Sequence, residues 1–528
     1  MVAVLISIPK CFSQQSPSYL DFVVNATQLP PEEYYDYIVV GGGTAGCPLA
    51  ATLSERFKVL VLERGGVPYG NPSLMTQEGY FTALTKTDAY DSPVQAFTSQ
   101  EGVPNARGRV LGGGSTINAG FYSRANREFY RRSGISWDLR MVNQSYEWVE
   151  KLIVFRPELK NWQVAVRDGF LEAGINPYNG FSLDHVVGTK IGGSTFDSSG
   201  RRHISADLLN YANPSNIRVA VHASVERIPL NSGGSGPGSP AKHAATGVVF
   251  RDQNGLLHHA MVRGKGEVLL SAGALGSPQL LLLSGIGPRQ YLSSLGIPVS
   301  LNSPYVGQFL FDNPRNGISI DLPLPLENSV VQVVGITSSG TYLEAISNVF
   351  PLAPTILPIF VRTPSFHTVA TILEKVVGPS SAGELRLAST DVRVNPVVRF
   401  NYFSDMEDLQ RCVNGSRKIG DVLRTTSMEG FKFGGRDFMY VGSALPSDLS
   451  NDALMEEFCR QTVATMWHYH GGCVVGKVVD TKLRVMGVEG LRVVDGSIFT
   501  VSPGTNPQAT LLMMGRYIGM QMLRERFD

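Results

Sequence analysis

The stretch YDYIVVGGGTAGCPLAATLSERFKVLVLERGG, residues 35–66, decides the fold. Residues 37–40 form an apolar run, 48–53 have helical composition and 58–62 are apolar again, which predicts strand, turn, helix, strand. Gly41, Gly43 and Gly46 make a G-x-G-x-x-G between the first strand and the helix, and Glu63 closes the second strand twenty positions after Gly43. Glycines let the backbone approach a pyrophosphate, the helix N-terminus stabilises its charge, and an acid accepts hydrogen bonds from the adenosine ribose. A glycine triplet alone would suit a plain tight βα turn equally well. The flanking strands and the acid in register favour a dinucleotide, and a carboxylate at the ribose excludes a 2′-phosphate, so the ligand is FAD or NAD.

Around this unit the chain runs to 528 residues, beyond the usual reach of one hydrophobic core, which predicts two domains or one domain with a large insertion. Apolar residues make up 43%, charged residues 17%, and the formal net charge is +1. Such a balance provides no global pull toward nucleic acid or acidic membranes and directs attention to a small-molecule site. The 56 glycines cluster in GGGTAG, GRVLGGGS and HGGC, as backbone pressed against a ligand would. No run reaches the ~18 apolar residues that span a bilayer.

The opening MVAVLISIPKCFSQQ is an apolar run followed by Cys11 and Ser13 at signal-peptidase spacing, so residues 1–13 read as a shortened signal peptide. Without a basic n-region the same run also reads as an N-terminal strand. Sequons at Asn25, Asn143 and Asn414 fit secretion, although such triplets arise easily by chance. The five cysteines are Cys11, Cys47, Cys412, Cys459 and Cys473. Cys412 and Cys459 lie outside the leader and the glycine motifs, and suit either an oxidising compartment or plain buried thiols.

From about residue 124 to 203 the pattern is helical and polar; IRVAVHASVERIPL and GEVLLSAGALGSPQLLLLSGIGP then return to strand character, with a helix at 277–283. Residues 317–463 carry alternating runs such as GELRLAS and PVVRFNYF, which predict an antiparallel sheet. NSGGSGPGSPAKH, 231–243, reads as a flexible loop within a hairpin. Near the C-terminus MWHYHGG places His468 and His470 two apart, on one face if the segment is extended. No neighbouring Cys, His or acid completes a ligand set, so no metal is expected.

GRVLGGGSTINAGFY, 108–122, and GALGSPQLLLLSGIG, 273–287, together with the first glycine turn resemble the signature motifs of the glucose-methanol-choline (GMC) flavoprotein oxidoreductases, in order and across nearly the whole chain. GFSLDHVVGTKIGGSTFD and VHASVERI are similar to the plant FAD-containing (R)-mandelonitrile lyases, SPGTNPQATLLMMGRYIG to the HOTHEAD-type proteins. The resemblance implies an α/β fold: a doubly wound, Rossmann-like FAD domain from 30–125, 205–315 and 465–528, interrupted by a substrate domain with an antiparallel sheet from 126–204 and 316–464. It implies that Thr44, Ala45, Glu63, Arg64, Val110, Gly114, Asn118, Ala119, Gly120, Phe121, Val225, Trp467, His468, Asp495, Gly496, Pro507 and Gln508 lie along FAD. The residues themselves support only the glycine turn and Glu63; Val225 could be plain strand, and Asp495 a turn former in VVDGS. It further implies a Cys412–Cys459 disulfide, a secreted protein, and a monomer acting on a small alcohol or cyanohydrin.

By the same resemblance the imidazole after the tryptophan, His468, is the general base and His470 a supporting residue, with the reverse assignment open. The second active-site position falls on Asn506. An amide suffices to hold an alcohol oxygen while hydride passes to flavin N5, whereas the lyases carry a second histidine there and a departing cyanide needs positive potential. The lyase tyrosine before the tryptophan is Met466, and the lyase pocket cysteine falls at Glu344 or a neighbour. Overall similarity favours a lyase and the site favours alcohol oxidation; since function resides in the site, oxidation is the expectation, with lyase activity the alternative.

Overall fold

The computed structural model describes residues 17–85, 87–88, 92–233, 242–348 and 368–527. The expected leader at 1–13 and the tip of the glycine-serine loop lie outside these residues. The loop's flanks, Leu230–Gly233 and Lys242–Ala245, pair as the hairpin expected.

The strand Glu32–Val40 leads through the glycine turn into the helix Gly46–Leu53 and returns as Val59–Leu62, parallel to and beside the first strand. These strands sit within a sheet ordered Val23–Asn25, Ile217–Val221, Val59–Leu62, Glu32–Val40, Leu257–Leu270, Gly247–Arg251, Ser224–Arg227, with Leu491–Val493 also parallel to Leu257–Leu270. The sheet begins earlier in the chain than residue 30. Its central strands run parallel and the last two pairings are antiparallel. Val59–Leu62 is buried throughout, as a strand covered on both faces should be. The C-terminal helix Gln508–Phe527 packs on Gly46–Leu53, and a Cβ at Gly515 would stand 2.3 Å from the Ala45 carbonyl, so only glycine permits that approach.

A second sheet is ordered Met439–Tyr440, Pro314–Leu322, Thr368–Lys375, Tyr342–Ser347, Val333–Ile336, Gly188–Ile191, Tyr178–Phe181, antiparallel except for the last pair. The helices Asn161–Glu172 and Met406–Leu423 cover one face through Trp162, Phe170 and Val413. Cys412 and Cys459 form a disulfide joining Met406–Leu423 to Asp452–Thr462.

GELRLAS and PVVRFNYF contribute Gly383–Arg386 and Val397–Arg399, which pair antiparallel with each other but outside the large sheet. They form a separate four-stranded sheet with Gln308–Phe311 and His470–Gly471. That small sheet anchors the His470 end of the histidine segment, while Ala464–Thr465 anchors the other end on Pro314–Leu322.

Candidate active site

A cleft of about 1290 Å³ runs from the glycine turn of the parallel sheet to the inner face of the antiparallel sheet. It exceeds the roughly 300–1,000 Å³ of most small-ligand sites, as a dinucleotide plus a substrate would require. At its first end stand Gly41, Gly43, Thr44 and Ala45, leading into the N-terminus of Gly46–Leu53. A Cβ on Gly43 would meet nothing closer than 3.8 Å, so this turn is open on its cleft side. Gly46 does not line the cleft; its Cβ would lie 2.0 Å from the Gly41 carbonyl, and its role is to let the helix start against the strand. Glu63 lines the cleft and accepts from the backbone N–H groups of Gly42 (3.0 Å) and Gly65 (2.8 Å). Burial pushes its carboxyl upward, and those N–H groups and Arg64 oppose the rise.

The loop of the second motif packs directly on the first, since a Cβ at Gly113 would stand 2.8 Å from Gly43 Cα. Asn118 donates to Gln508 Oε1 at 2.6 Å and accepts from Gly120 N at 2.9 Å, tying 118–121 to the start of the C-terminal helix. Asp495 accepts from Gly273 N (2.9 Å), Ser277 Oγ (2.5 Å) and Ser497 N (2.8 Å), so a carboxylate caps the helix Gly273–Leu283. All the residues expected along FAD except Gly46 line this cleft.

The far end carries the histidine segment. Trp467 has φ +57°, a left-handed conformation that costs a non-glycine residue about 1–3 kcal/mol. Its N–H donates to Thr465 Oγ1 at 2.8 Å, and the Arg315 guanidinium stacks on its ring at 5.3 Å. The expectation of a shared face fails: His468 lines the cleft, while His470 is buried and stacked on Phe311 at 5.1 Å. His470 Nδ1 donates to the His468 carbonyl at 2.9 Å. Gly471, at φ +84°, lies so close to the Phe309 carbonyl that a Cβ would come within 1.9 Å of it.

Asp312 and Asn313, which the sequence reading passed over, hold the His468 backbone and ring. Asp312 accepts from His468 N, Thr465 Oγ1 and Tyr402 Oη, each at 2.7 Å, and burial pushes its carboxyl up to about 6. The Asn313 amide meets His468 Nδ1 at 3.1 Å through Nδ2, and its Oδ1 is buried without a partner. Burial, then the charge of Lys375, His470 and Arg315, holds the His468 imidazole well below its ordinary value, so it is neutral near pH 7.

Asn506 and Glu344 also line the cleft. Behind them Lys375, 1% exposed, donates to Glu344 Oε1 at 2.6 Å and to Asn506 Oδ1 at 2.7 Å. The walls around this end are apolar: Tyr80, Phe121, Val331, Ile346, Leu373, Met466 and Trp467. Lys375 and Arg315 were not foreseen, because a lysine or arginine in an alternating strand reads as solvent-facing. Among the described residues, no cluster of His, Cys, Asp and Glu could hold a metal, and no helix is long and apolar enough to cross a membrane. Asn143 and Asn414 are exposed on helices, whereas Asn25 Oδ1 accepts from Thr27 N at 3.0 Å.

Residues 35–315 and 379–515 match the two family models described as GMC oxidoreductase. The chain is 64% identical to an (R)-mandelonitrile lyase-like protein of Arabidopsis thaliana, over 97% of this chain and 93% of the other. It is 51% identical to (R)-mandelonitrile lyase 2 of Prunus dulcis (96% and 90%) and 49% identical to sinalpyl alcohol oxidase Nec3 of Nesocodon mauritianus (96% and 92%). Its fold is similar to pyridoxine 4-oxidase from Mesorbium loti, with a TM-score of 0.78 at 21% identity, over 93% of this chain and 99% of that one.

Proposed function

The chain belongs to the GMC oxidoreductase family, and from that premise we propose that it oxidises an alcohol borne on an apolar body, aromatic or long and aliphatic, with His468 as general base. FAD is the cofactor, and the open glycine turn, the helix N-terminus and Glu63 fit its adenosine diphosphate half. Bound there, FAD supplies the acceptor for a hydride leaving the carbinol carbon.

The observation that carries this reading is a neutral imidazole and a primary amide, His468 and Asn506, sharing the apolar end of the dinucleotide cleft. Asn506 holds the alcohol oxygen by hydrogen bond while His468 takes the hydroxyl proton at Nε2. To accept there, the ring must carry its own proton on Nδ1, so the Asn313 amide must offer its oxygen. With Nδ2 facing the ring, Nε2 holds the proton and the imidazole donates instead. With the Asn313 amide oriented so that Oδ1 accepts from Nδ1–H, that oxygen gains a partner and Nε2 is free to take the hydroxyl proton. Arg315, 4% exposed and stacked on Trp467, keeps this wall rigid. Similarity to an alcohol oxidase over nearly the whole chain supports the assignment.

A second reading, cleavage of an aromatic cyanohydrin to aldehyde and cyanide, is favoured by the higher identity to the lyase-like and lyase relatives and by the Lys375 ammonium behind Asn506. The disulfide and the sequons fit passage through the secretory pathway under either reading.

Anaerobic mixing with long-chain and aromatic alcohols separates the two, because only oxidation changes the flavin's redox state. The expected result is bleaching of the oxidised flavin, slowed roughly 10²–10⁴-fold in His468→Ala with FAD still bound. Rapid cyanide release from mandelonitrile, with no alcohol bleaching the flavin, would overturn oxidation.

A further inference from the structure

Three groups meet the Lys375 ammonium: Glu344 Oε1 at 2.6 Å, Asn506 Oδ1 at 2.7 Å, and the face of the Tyr342 ring at 3.9 Å. They match the three N–H donors of an ammonium. The arrangement follows from strand register. Tyr342 lies directly across from Lys375 in the antiparallel pair Tyr342–Ser347 and Thr368–Lys375, and Glu344 is two residues further on the same face. Tyr342 Oη also bonds Thr505 Oγ1 at 2.9 Å, so this corner of the sheet is tied to the Asn506 loop twice.

Resting on the alcohol-oxidation reading, we infer that Lys375 is a positioning residue. Clamped by Glu344, it holds Asn506 Oδ1 so that the amide NH₂ faces the cleft, and Glu344 offsets the lysine's charge on the Asn506 side. A reversed amide would set its NH₂ against the ammonium, donor against donor, so the orientation is fixed as long as the lysine is charged. The carboxylate at 2.6 Å sustains that charge in a buried position, where burial alone pulls the lysine's affinity for its proton down. The hydrogen bond that holds the alcohol oxygen thus depends on a residue that never meets the substrate. The net charge of the pair is near zero, so the amide is polarised without strong positive potential over the cleft.

The charge of Lys375 also reaches His468, which provides a readout that a merely structural role would not move. The charged and titratable groups facing His468 are Lys375, Arg315, His470 and, through the backbone, Asp312. Removing the ammonium should raise the pKa of His468 and move the acid limb of flavin reduction to higher pH. Removing the carboxylate alone leaves an uncompensated ammonium at the acidic pH of this limb, where the lysine keeps its proton without its partner, and should move the limb to lower pH.

The test uses the FAD-loaded protein and variants Lys375→Met, Glu344→Gln, Asn506→Ala and the double variant Lys375→Met with Asn506→Ala, in flavin bleaching by the best alcohol, followed by pH jump from neutral solution down to pH 3.5 and up to pH 9. Lys375→Met should lower kcat by about 10- to 100-fold with little change in KM, less than the ~10²–10³ for deleting an oxyanion donor outright. It should add almost nothing in the Asn506→Ala background. The acid limb should move up in Lys375→Met and down in Glu344→Gln. Additive losses in the double variant, or limbs that stay in place in both single variants, would overturn the clamp. If no alcohol bleaches the unmodified protein, the oxidation reading fails instead. The same variants are then compared in cyanide release from mandelonitrile, where unmoved limbs would overturn the clamp independently.

Discussion

Replacing Asp312 by asparagine should change how the protein's thermal stability depends on pH. The Asp312 carboxyl sits behind His468 with three hydrogen bonds, and burial pushes it from an ordinary value of 3.8 up to about 6. Because the folded value is raised, the folded state binds the extra proton. The associated stability is fully present below pH 4 and is lost as pH rises through 6. A shift of about two units corresponds to about 3 kcal/mol. For 528 residues at ~2.1 cal/mol/K each, the unfolding entropy is about 1.1 kcal/mol/K, so the effect is about 3 °C in Tm. Asp312→Asn is neutral throughout and can still accept from His468 N. The difference Tm(variant) minus Tm(unmodified) should therefore rise by about 3 °C between pH 4 and pH 7 and stay level above, whatever its constant offset. Melting curves followed by flavin release and by tryptophan fluorescence at half-unit pH steps measure it. A difference that is flat from pH 4 to pH 7, or that falls, would show that Asp312 ionises normally or is held ionised in the fold.

Asn313→Asp can only accept from the His468 ring, so it should fix the Nδ1–H form, leave Nε2 free as base, and raise the acid limb of alcohol oxidation by about one unit or more; complete loss of activity would instead mean that His468 works as a donor. Removing the disulfide by the double substitution Cys412→Ser and Cys459→Ser releases a constraint over a sequence separation of 47, worth about 4 kcal/mol in the chain-entropy account. Denaturant unfolding should register most of that loss with the FAD spectrum unchanged, and non-reducing peptide mapping that recovers both cysteines as free thiols would contradict the bond.

What could be read from the chain alone was whatever a short, contiguous pattern encodes. The glycine turn, its helix and Glu63 fall within residues 41–63, and their spacing is the geometry of one βαβ unit. The disulfide and the residues along the cleft came from resemblance, since no local pattern joins residue 118 to residue 508. The His-x-His could not be resolved by periodicity because periodicity assumes a regular strand, and of the two histidines only His470 lies in one, paired with Phe311. The antiparallel strands at 383–386 and 397–399 were legible in the same way, but not the sheet they join. Alternation predicts a strand's two faces but not its neighbours, and here the partners are Gln308–Phe311 and, through it, His470–Gly471.

The case for oxidation from the sequence rested on Asn506 as an amide that cannot carry charge. The fold changes the terms of that comparison. Lys375 stands 2.7 Å behind the amide oxygen, from a strand position 131 residues away, so the uncharged residue at the cleft is backed by an ion pair. Under the proposed oxidation, the group that offsets this lysine is the carboxylate of Glu344, which sits 2.6 Å from it. At an effective dielectric of about 20 a pair of unit charges 4 Å apart interacts by ~4 kcal/mol, so removing either partner shifts the potential at the reacting oxygen by an amount that decides rates. The identity of a single cleft residue is therefore a poor guide to the reaction, and the charge sum of Asn506, Lys375 and Glu344 is the better one. Those three side chains sum to no formal charge, which is the ground for proposing oxidation over cyanide release. Glu344→Gln, assayed at a pH low enough for the unpartnered lysine to keep its proton, should move the balance of the two activities toward cyanide release, measured as the ratio of mandelonitrile cleavage to flavin bleaching; a ratio that stays constant would return the discrimination to Asn506 itself.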